Sequence, residues 1–228
     1  MTRRLRSLDP ATFIAENTRL EPVPRIPEIA VYTAHEATGL WRVAEASGEA
    51  DPPPPYWAFP WAGGLALARH LLDRPDCVAG RRVLDLGTGS GLVAIAAMKA
   101  GAAAVVAADI DRFAAAAARI NAAANGVHVT VRQEDLTGGP PLGVDVVLVG
   151  DLFYGAALAA RVTAFLDRCL AAGEEVLIGD PYRAYLPSAR LTLLSDYPVV
   201  DVGEVEGKGR GRGGVFRLEK VPAPAMTP

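Results

Sequence analysis

Residues 83–91 read VLDLGTGSG, an apolar run ending in Asp85, followed by Gly87, Gly89 and Gly91 alternating with Thr88 and Ser90. The run has the character of a buried strand, and LVAIAAMK (92–99) after it that of a helix. A glycine loop between strand and helix lets a ligand approach the backbone closely. The dinucleotide fingerprint places its third glycine one position later, where this chain has Leu92. A phosphate-binding P-loop ends in Gly-Lys-Ser/Thr, and no lysine follows here. The spacing therefore suits a nucleotide-like ligand that lacks a pyrophosphate.

Outward from the loop, strand and helix patterns alternate. RRVLDL (81–86), AAAVVAADI (102–110), VHVTVRQ (127–133), VDVVLVG (144–150) and EEVLIGD (174–180) read as strands. Between them RFAAAAARINAAAN (112–125) and ALAARVTAFLDRCLAA (157–172) read as helices, and GGLALARHLLD (63–73) precedes the first strand. Such alternation implies an α/β fold with a parallel sheet covered on both faces. Near-continuous apolar runs such as VVLVG are what doubly buried parallel strands require. After Pro181, YPVVDVGEV (197–205) and GVFRLEK (214–220) predict an antiparallel hairpin across EGKGRGRGG (206–214). The expected architecture is a doubly wound, mostly parallel seven-strand sheet that ends in this hairpin. Residues 1–60 form a proline-rich N-terminal extension, 61–221 the main domain and 222–228 a tail. Within the extension, EIAVYTAHEATGLWRVAEA (28–46) predicts a strand and then a helix carrying Ala37, Leu40, Trp41 and Ala44 at helical spacing.

The 228 residues suffice for one well-buried core plus an appendage. Lysine and arginine number 23 against 26 acids, a balance that speaks against a general nucleic-acid binder. Cys77 and Cys169 stand far apart, and His35, His70 and His128 are scattered, so neither a disulfide nor a metal set is expected. MTRRLRSLDPATF has no apolar signal-peptide core, and VAIAAMKAGAAAVVAADI is broken by Lys99 and Gly101. A soluble cytoplasmic protein is expected.

The acids beside the loop narrow the ligand. Asp109 closes the second strand, where a carboxylate accepts from both hydroxyls of a ribose. Asp85, at the first strand end, suits a ligand carrying an ammonium. S-adenosylmethionine has both groups. Asp85, Gly87, Thr88, Gly89, Gly91 and Asp109 together resemble the class I methyltransferase pattern D-x-G-x-G-x-G…D. On that reading Ile110 packs on the adenine and Asp135 accepts from its amino group. The plainer alternative is that Asp85, Asp109 and Asp135 only cap the elements that follow them.

The fourth strand ends in DLFY (151–154). Enzymes that methylate planar base or amide nitrogens carry Asn/Asp-Pro-Pro-Tyr/Phe here, and this chain has lost both prolines while keeping the outer Asp and Tyr. D-x-x-Y resembles the form in seven-strand protein-lysine methyltransferases. More specifically, PPPPYWAFPWAGGLALARHLLD, VLDLGTGSGLVAIAAMKAGA, ADID, VLVGDLFY and VLIGDPYRAYLP resemble, in this order, the lysine methyltransferases acting on the beta subunit of electron transfer flavoprotein. FIAENTRLEPVPRIPEI (13–29) fits the same family, whose bacterial members are often labelled nicotinamide N-methyltransferase-like. The resemblance implies S-adenosylmethionine as cofactor and a protein lysine as acceptor. It names the flavoprotein subunit, and beside it the bacterial ribosomal stalk protein, as partners. A small nicotinamide-like amine is the alternative acceptor. The alanine-rich sequence without a transit peptide suggests a bacterial chain.

The resemblance assigns Trp61 to the cofactor border, with Trp57 as the other candidate. It assigns catalysis to Asp151 and Tyr154. A carboxylate at Asp151 would stabilise the ammonium that develops on the attacked nitrogen, and the Tyr154 ring would wall the lysine channel. Presenting a neutral lysine amine at pH 7 costs on the order of 4–5 kcal/mol. A carboxylate at Asp151 raises that cost in the ground state, and the approaching sulfonium and burial lower it. The route of the proton is therefore open. Weaker candidates are Glu36, Asp180 and Tyr182 near the acceptor. EGKGRGRGG reads as a solvated connection rather than an RNA-binding segment.

Overall fold

The computed structural model describes residues 9–34, 55–199 and 211–220. The central sheet has seven strands: β3 (Arg82–Leu86), β4 (Ala104–Asp109), β5 (Thr130–Gln133), β6 (Val146–Gly150), β7 (Glu175–Asp180), β8 (Leu191–Val199) and β9 (Gly211–Leu218). Their order is β5-β4-β3-β6-β7-β9-β8, parallel from β5 to β7, with β9 antiparallel to both β7 and β8. This is the expected doubly wound, mostly parallel seven-strand sheet with its C-terminal hairpin.

The alternation of side chains along each strand divides the core. Val83, Val146, Leu148 and Leu177 point into one apolar layer, and Leu84, Val147, Val149, Val176 and Ile178 into the other. The first layer is closed by α2 (Ala62–Asp73) and α3 (Leu92–Lys99), the second by α5 (Ala156–Ala171) through Val162, Phe165 and Leu166. The remaining long helix is α4 (Arg112–Ala124), started by the Asp111 side chain, which accepts from the Phe113 amide.

The N-terminal segment is more ordered than its prolines suggest. Asp9 caps α1 (Pro10–Asn17), and proline at the first helical position suits a helix start. Then β1 (Arg19–Val23) and β2 (Ile26–Thr33) form a hairpin whose Val23, Ile26, Ile29 and Val31 join the same core as α2 and α3. Two side-chain amides, from α4 and from the residue that caps its end, hold β2: Asn121 Oδ1 accepts from the Tyr32 N–H at 2.8 Å, and the Asn125 amide bonds both the N–H and the C=O of Ala30. The strand expected over 28–33 thus exists, while the helix expected around Ala37–Ala44 lies outside the described residues, as does Glu36.

The hairpin expectation needs a correction. β8 begins at Leu191 rather than Tyr197, and β9 covers the glycines from Gly211. β8 is an edge strand, which tolerates Pro198 inside it. Residues 200–210, which hold the rest of the strand expected over 197–205 and most of the intervening loop, lie outside the described residues. Among the described residues no helix is long and apolar enough to cross a membrane.

Candidate active site

The chain leaves β3 toward β4 and β5 on one side and returns to β6 and β7 on the other, so a crevice opens at the carboxyl ends of these strands. A cavity of about 550 Å³ lies there, within the ordinary size range of small-ligand sites. Each strand end contributes to it: Gly87 and Gly89 after β3, Asp109 and Ile110 after β4, Asp135 after β5, Asp151 and Tyr154 after β6, and Arg183 after β7. The segment entering α2 adds Tyr56, Trp57 and Trp61.

One half of the cavity gathers the residues that the sequence assigns to a nucleoside. Asp109 uses its carboxylate to accept from the Gly89 N–H at 2.9 Å and the Asp111 N–H at 3.0 Å, fixing the loop to the β4 end. A carboxylate has about four acceptor positions, so it retains capacity for ribose hydroxyls. Burial pushes its carboxyl upward, and the backbone donors oppose that shift. Gly89 has a φ of +53°, and a β-carbon there would meet nothing within 4 Å, so the loop leaves room for a ligand against its backbone. Ile110 is 66% exposed, as expected of an apolar side chain whose partner is a ligand ring. Asp135 accepts from the Thr137 N–H and hydroxyl and pairs with Arg161 at 3.2 Å; the Thr137 hydrogen bonds, first, hold its carboxyl below the usual value.

Asp85, Thr88 and Gly91 lie behind the residues that line this cavity. Asp85 Oδ2 accepts from the Thr88 hydroxyl at 2.6 Å and from the Ala94 N–H at 3.0 Å. It thereby satisfies an orphan donor in the first turn of α3, and full burial pushes its carboxyl up to about 7. Gly91, at φ +84°, begins α3 where a β-carbon would stand 2.9 Å from Ala118 Cα. These residues shape the loop from behind. Asn121, which the sequence reading passed over, supports it too: fully buried, it donates to the Ser90 carbonyl at 2.7 Å.

The tryptophan question resolves into two roles. Trp57 is buried among Ile14, Ala114 and Ala117 and stacks on Phe113, with centroids 6.0 Å apart. Trp61 donates its indole N–H to the Tyr56 carbonyl at 2.7 Å and lies edge-on to Tyr56. Both reach the cavity wall, Trp57 as part of a core cluster and Trp61 as a member of an aromatic group with Tyr56 and Phe59.

The acceptor end is formed by the turn after β6. Phe153 is fully buried and anchors the turn, while Tyr154 is 48% exposed with its ring 5.5 Å from that of Tyr56. Burial also pushes the Tyr154 phenol above its ordinary value. Asp151 has a φ of +64°, uncommon for a residue with a side chain. Its backbone N–H donates to the Gly179 carbonyl, its Oδ2 accepts from the Gly63 N–H at 2.9 Å, and its Oδ1 accepts from Arg183 Nε. Asp151 is thus an ion-paired side chain only 4% exposed. Asp180 and Tyr182, the weaker candidates, sit behind this pair. Asp180 Oδ1 accepts from the Arg183 N–H, and the Tyr182 hydroxyl donates to Asp196.

Comparison with known proteins agrees with this geometry. The profile of the ribosomal protein L11 methyltransferase family (PrmA) matches residues 67–152, which hold the glycine loop and the β6 end. A solved Pyrococcus horikoshii structure covers 81% of this chain and 99% of its own length, at TM-score 0.53 and 18% identity, and shows the fold alone. The electron transfer flavoprotein beta subunit lysine methyltransferase of Danio rerio is 37% identical over 222 residues, covering 94% of this chain and 85% of its own. That of Xenopus laevis is 38% identical over 217 residues, covering 92% and 87%. The chain belongs to this lysine methyltransferase family. Its cofactor is S-adenosylmethionine.

Within the methyltransferase, the two carboxylates of the nucleoside half, the open glycine loop and exposed Ile110 fit that cofactor. The cofactor supplies an electrophilic methyl on a sulfonium. Replacing Asp109 with alanine removes the β4-end acceptor and frees the Gly89 N–H. The expected outcome is a loss of cofactor affinity of about 10- to 100-fold, the loss of one or two charge-assisted hydrogen bonds. Titration calorimetry with S-adenosylhomocysteine measures it, and unchanged affinity would remove Asp109 from the site.

Proposed function

We propose that this methyltransferase methylates lysine side chains of the electron transfer flavoprotein beta subunit. The observation that carries the reading is the D-x-x-Y turn. Asp151 and Tyr154 open onto the same cavity as Asp109 and Asp135, so an acceptor nitrogen arriving from solvent meets a carboxylate and an aromatic wall beside the cofactor half. The relatives named for this substrate match almost the whole chain, the acceptor end included. The bacterial ribosomal stalk protein is proposed as a second substrate.

In the reaction, the Tyr154 and Tyr56 rings, in contact with each other, form one wall along the entering lysine stem, and the Asp151 carboxylate stabilises the positive charge that forms on nitrogen as the methyl is transferred. Residues 1–60 help shape the acceptor end, a role supported by Tyr56 and Trp57 at the wall. The alanine-rich composition supports a bacterial, cytoplasmic setting.

The test incubates the enzyme with tritiated S-adenosylmethionine and purified electron transfer flavoprotein, beside a bacterial lysate. Label in the beta subunit, mapped to lysine by peptide sequencing, is the expected result. Label confined to acid-soluble small molecules would hand the function to the nicotinamide-like alternative.

A further inference from the structure

We propose that Arg183 is a positioning residue whose guanidinium offsets the Asp151 charge at the acceptor end, so that the substrate lysine enters as the uncharged amine. The inference rests on the lysine reading above and assigns the charge balance of that site. Asp151 alone would have the opposite effect, holding an ammonium in its unreactive form.

The geometry supplies the compensating charge. Arg183 Nε donates to Asp151 Oδ1, the other carboxylate oxygen is taken by the Gly63 N–H, and Arg183 lines the cavity with Asp151 and Tyr154. The turn that carries it is held from behind as well, since the Arg183 backbone N–H donates to Asp180 Oδ1 at 2.6 Å. Asp180 is fully buried and its Oδ2 has no partner among the described residues, so a second carboxylate faces this segment from the β7 end. An arginine, which stays charged at every physiological pH, is thus fixed where an incoming ammonium would arrive. Like charge disfavours the protonated amine and lowers its pKa. Each unit of that shift is a tenfold gain in the reactive fraction at pH 7. The amine gives its proton to bulk water before it enters, and Asp151, already paired with Arg183, then adds to the stabilisation of the positive charge that develops on nitrogen.

The other groups facing this end are Tyr154 and Tyr56 from the cavity wall, Asp109 across it, and Arg161, which is paired with Asp135. Tyr182 and Asp196 bond each other beside the Arg183 segment. Burial pushes the Asp180 carboxyl up to about 6 and the Tyr154 phenol above its usual range. A window from pH 7 to 9 therefore isolates the amine.

The experiment compares wild type, Arg183→Gln and Arg183→Lys, reading kcat and KM for the flavoprotein subunit from pH 7 to 9. Glutamine keeps a donor toward Asp151 without the charge, and lysine keeps the charge. Arg183→Gln is expected to lose roughly 10-fold in kcat at pH 7 and to recover most of it by pH 9, its rise displaced by about one unit. Its KM is expected to hold or fall, and the subunit should bind the S-adenosylhomocysteine-loaded variant more tightly than wild type at pH 7. Arg183→Lys should return the rise to its wild-type position. A kcat loss by the same factor at every pH would make Arg183 a packing residue and overturn the proposal. A gain in kcat/KM at every pH would make it a competitor for Asp151 and also overturn it. Wild-type enzyme that labels no protein would instead defeat the lysine reading itself.

Discussion

Asp151→Asn is expected to lower kcat by about 10²- to 10³-fold, the scale of losing one preorganised electrostatic partner of a developing charge, while S-adenosylhomocysteine affinity stays within about 3-fold. Asparagine is the informative replacement because it tolerates the left-handed backbone that Asp151 adopts at φ +64°. Its amide oxygen can still accept from the Gly63 N–H, so the first turn of α2 keeps its partner. What it loses is charge. The amide NH₂ then faces Arg183 Nε, and two donors meet where an ion pair stood. Breaking a buried pair costs about 3–5 kcal/mol, and the 27% exposure of the Arg183 side chain reduces this, to roughly 1–3 kcal/mol, by solvation. Asp151→Ala removes the α2 contact as well and places a residue without a local hydrogen bond in the strained backbone, so it should melt lower than Asp151→Asn. Thermal melts and calorimetric cofactor binding on both variants separate lost chemistry from lost structure. Asparagine turning over at half the wild-type rate would exclude a charge role for Asp151.

The sequence carried the site unevenly, for physical reasons. Doubly buried strands must be apolar and continuous, so β3, β6 and β7 were legible to within a residue or two. The β3 loop and Asp109 were legible because a glycine run has few other uses. The roles inside that run were less legible: only Gly87 and Gly89 of its three glycines reach the cavity, since Gly91 serves the contact with Ala118. β8 has a half-exposed edge pattern without strict alternation, and its start could not be placed from periodicity. Asp9-Pro10 did signal α1 as a cap followed by proline, but the single buried residue Ile14 gave no apolar stripe. Arg183 had no signal. An arginine in a turn pairs with a carboxylate 32 positions away only because β6 and β7 are neighbours, and nothing local encodes that.

That neighbour relation is also what makes Gly179→Ala the most damaging small substitution expected. In β7 a β-carbon at Gly179 would stand 2.2 Å from the Gly63 carbonyl oxygen and 2.7 Å from Leu67 Cβ. The obstruction is largely the backbone of α2, which cannot rotate away as a side chain can. The reverse is equally tight, since a β-carbon at Gly63 would lie 2.3 Å from the Gly179 oxygen and 2.9 Å from the Asp151 nitrogen. To admit the methyl, α2 must lift from the sheet, although eight of its residues are buried against it. Overpacking of this kind costs about 3 kcal/mol or more, which for a chain of this size lowers Tm by roughly 6–12 °C. The same lift draws the Gly63 N–H away from Asp151 Oδ2, so kcat should fall with stability, and further than the fraction unfolded at assay temperature explains. Gly138→Ala, where a β-carbon would meet nothing within 4 Å, is the matched control and should change neither. A Gly179→Ala protein melting within about 1 °C of wild type would show that α2 has slack over the strand ends. The position of Asp151 would then not depend on that backbone contact.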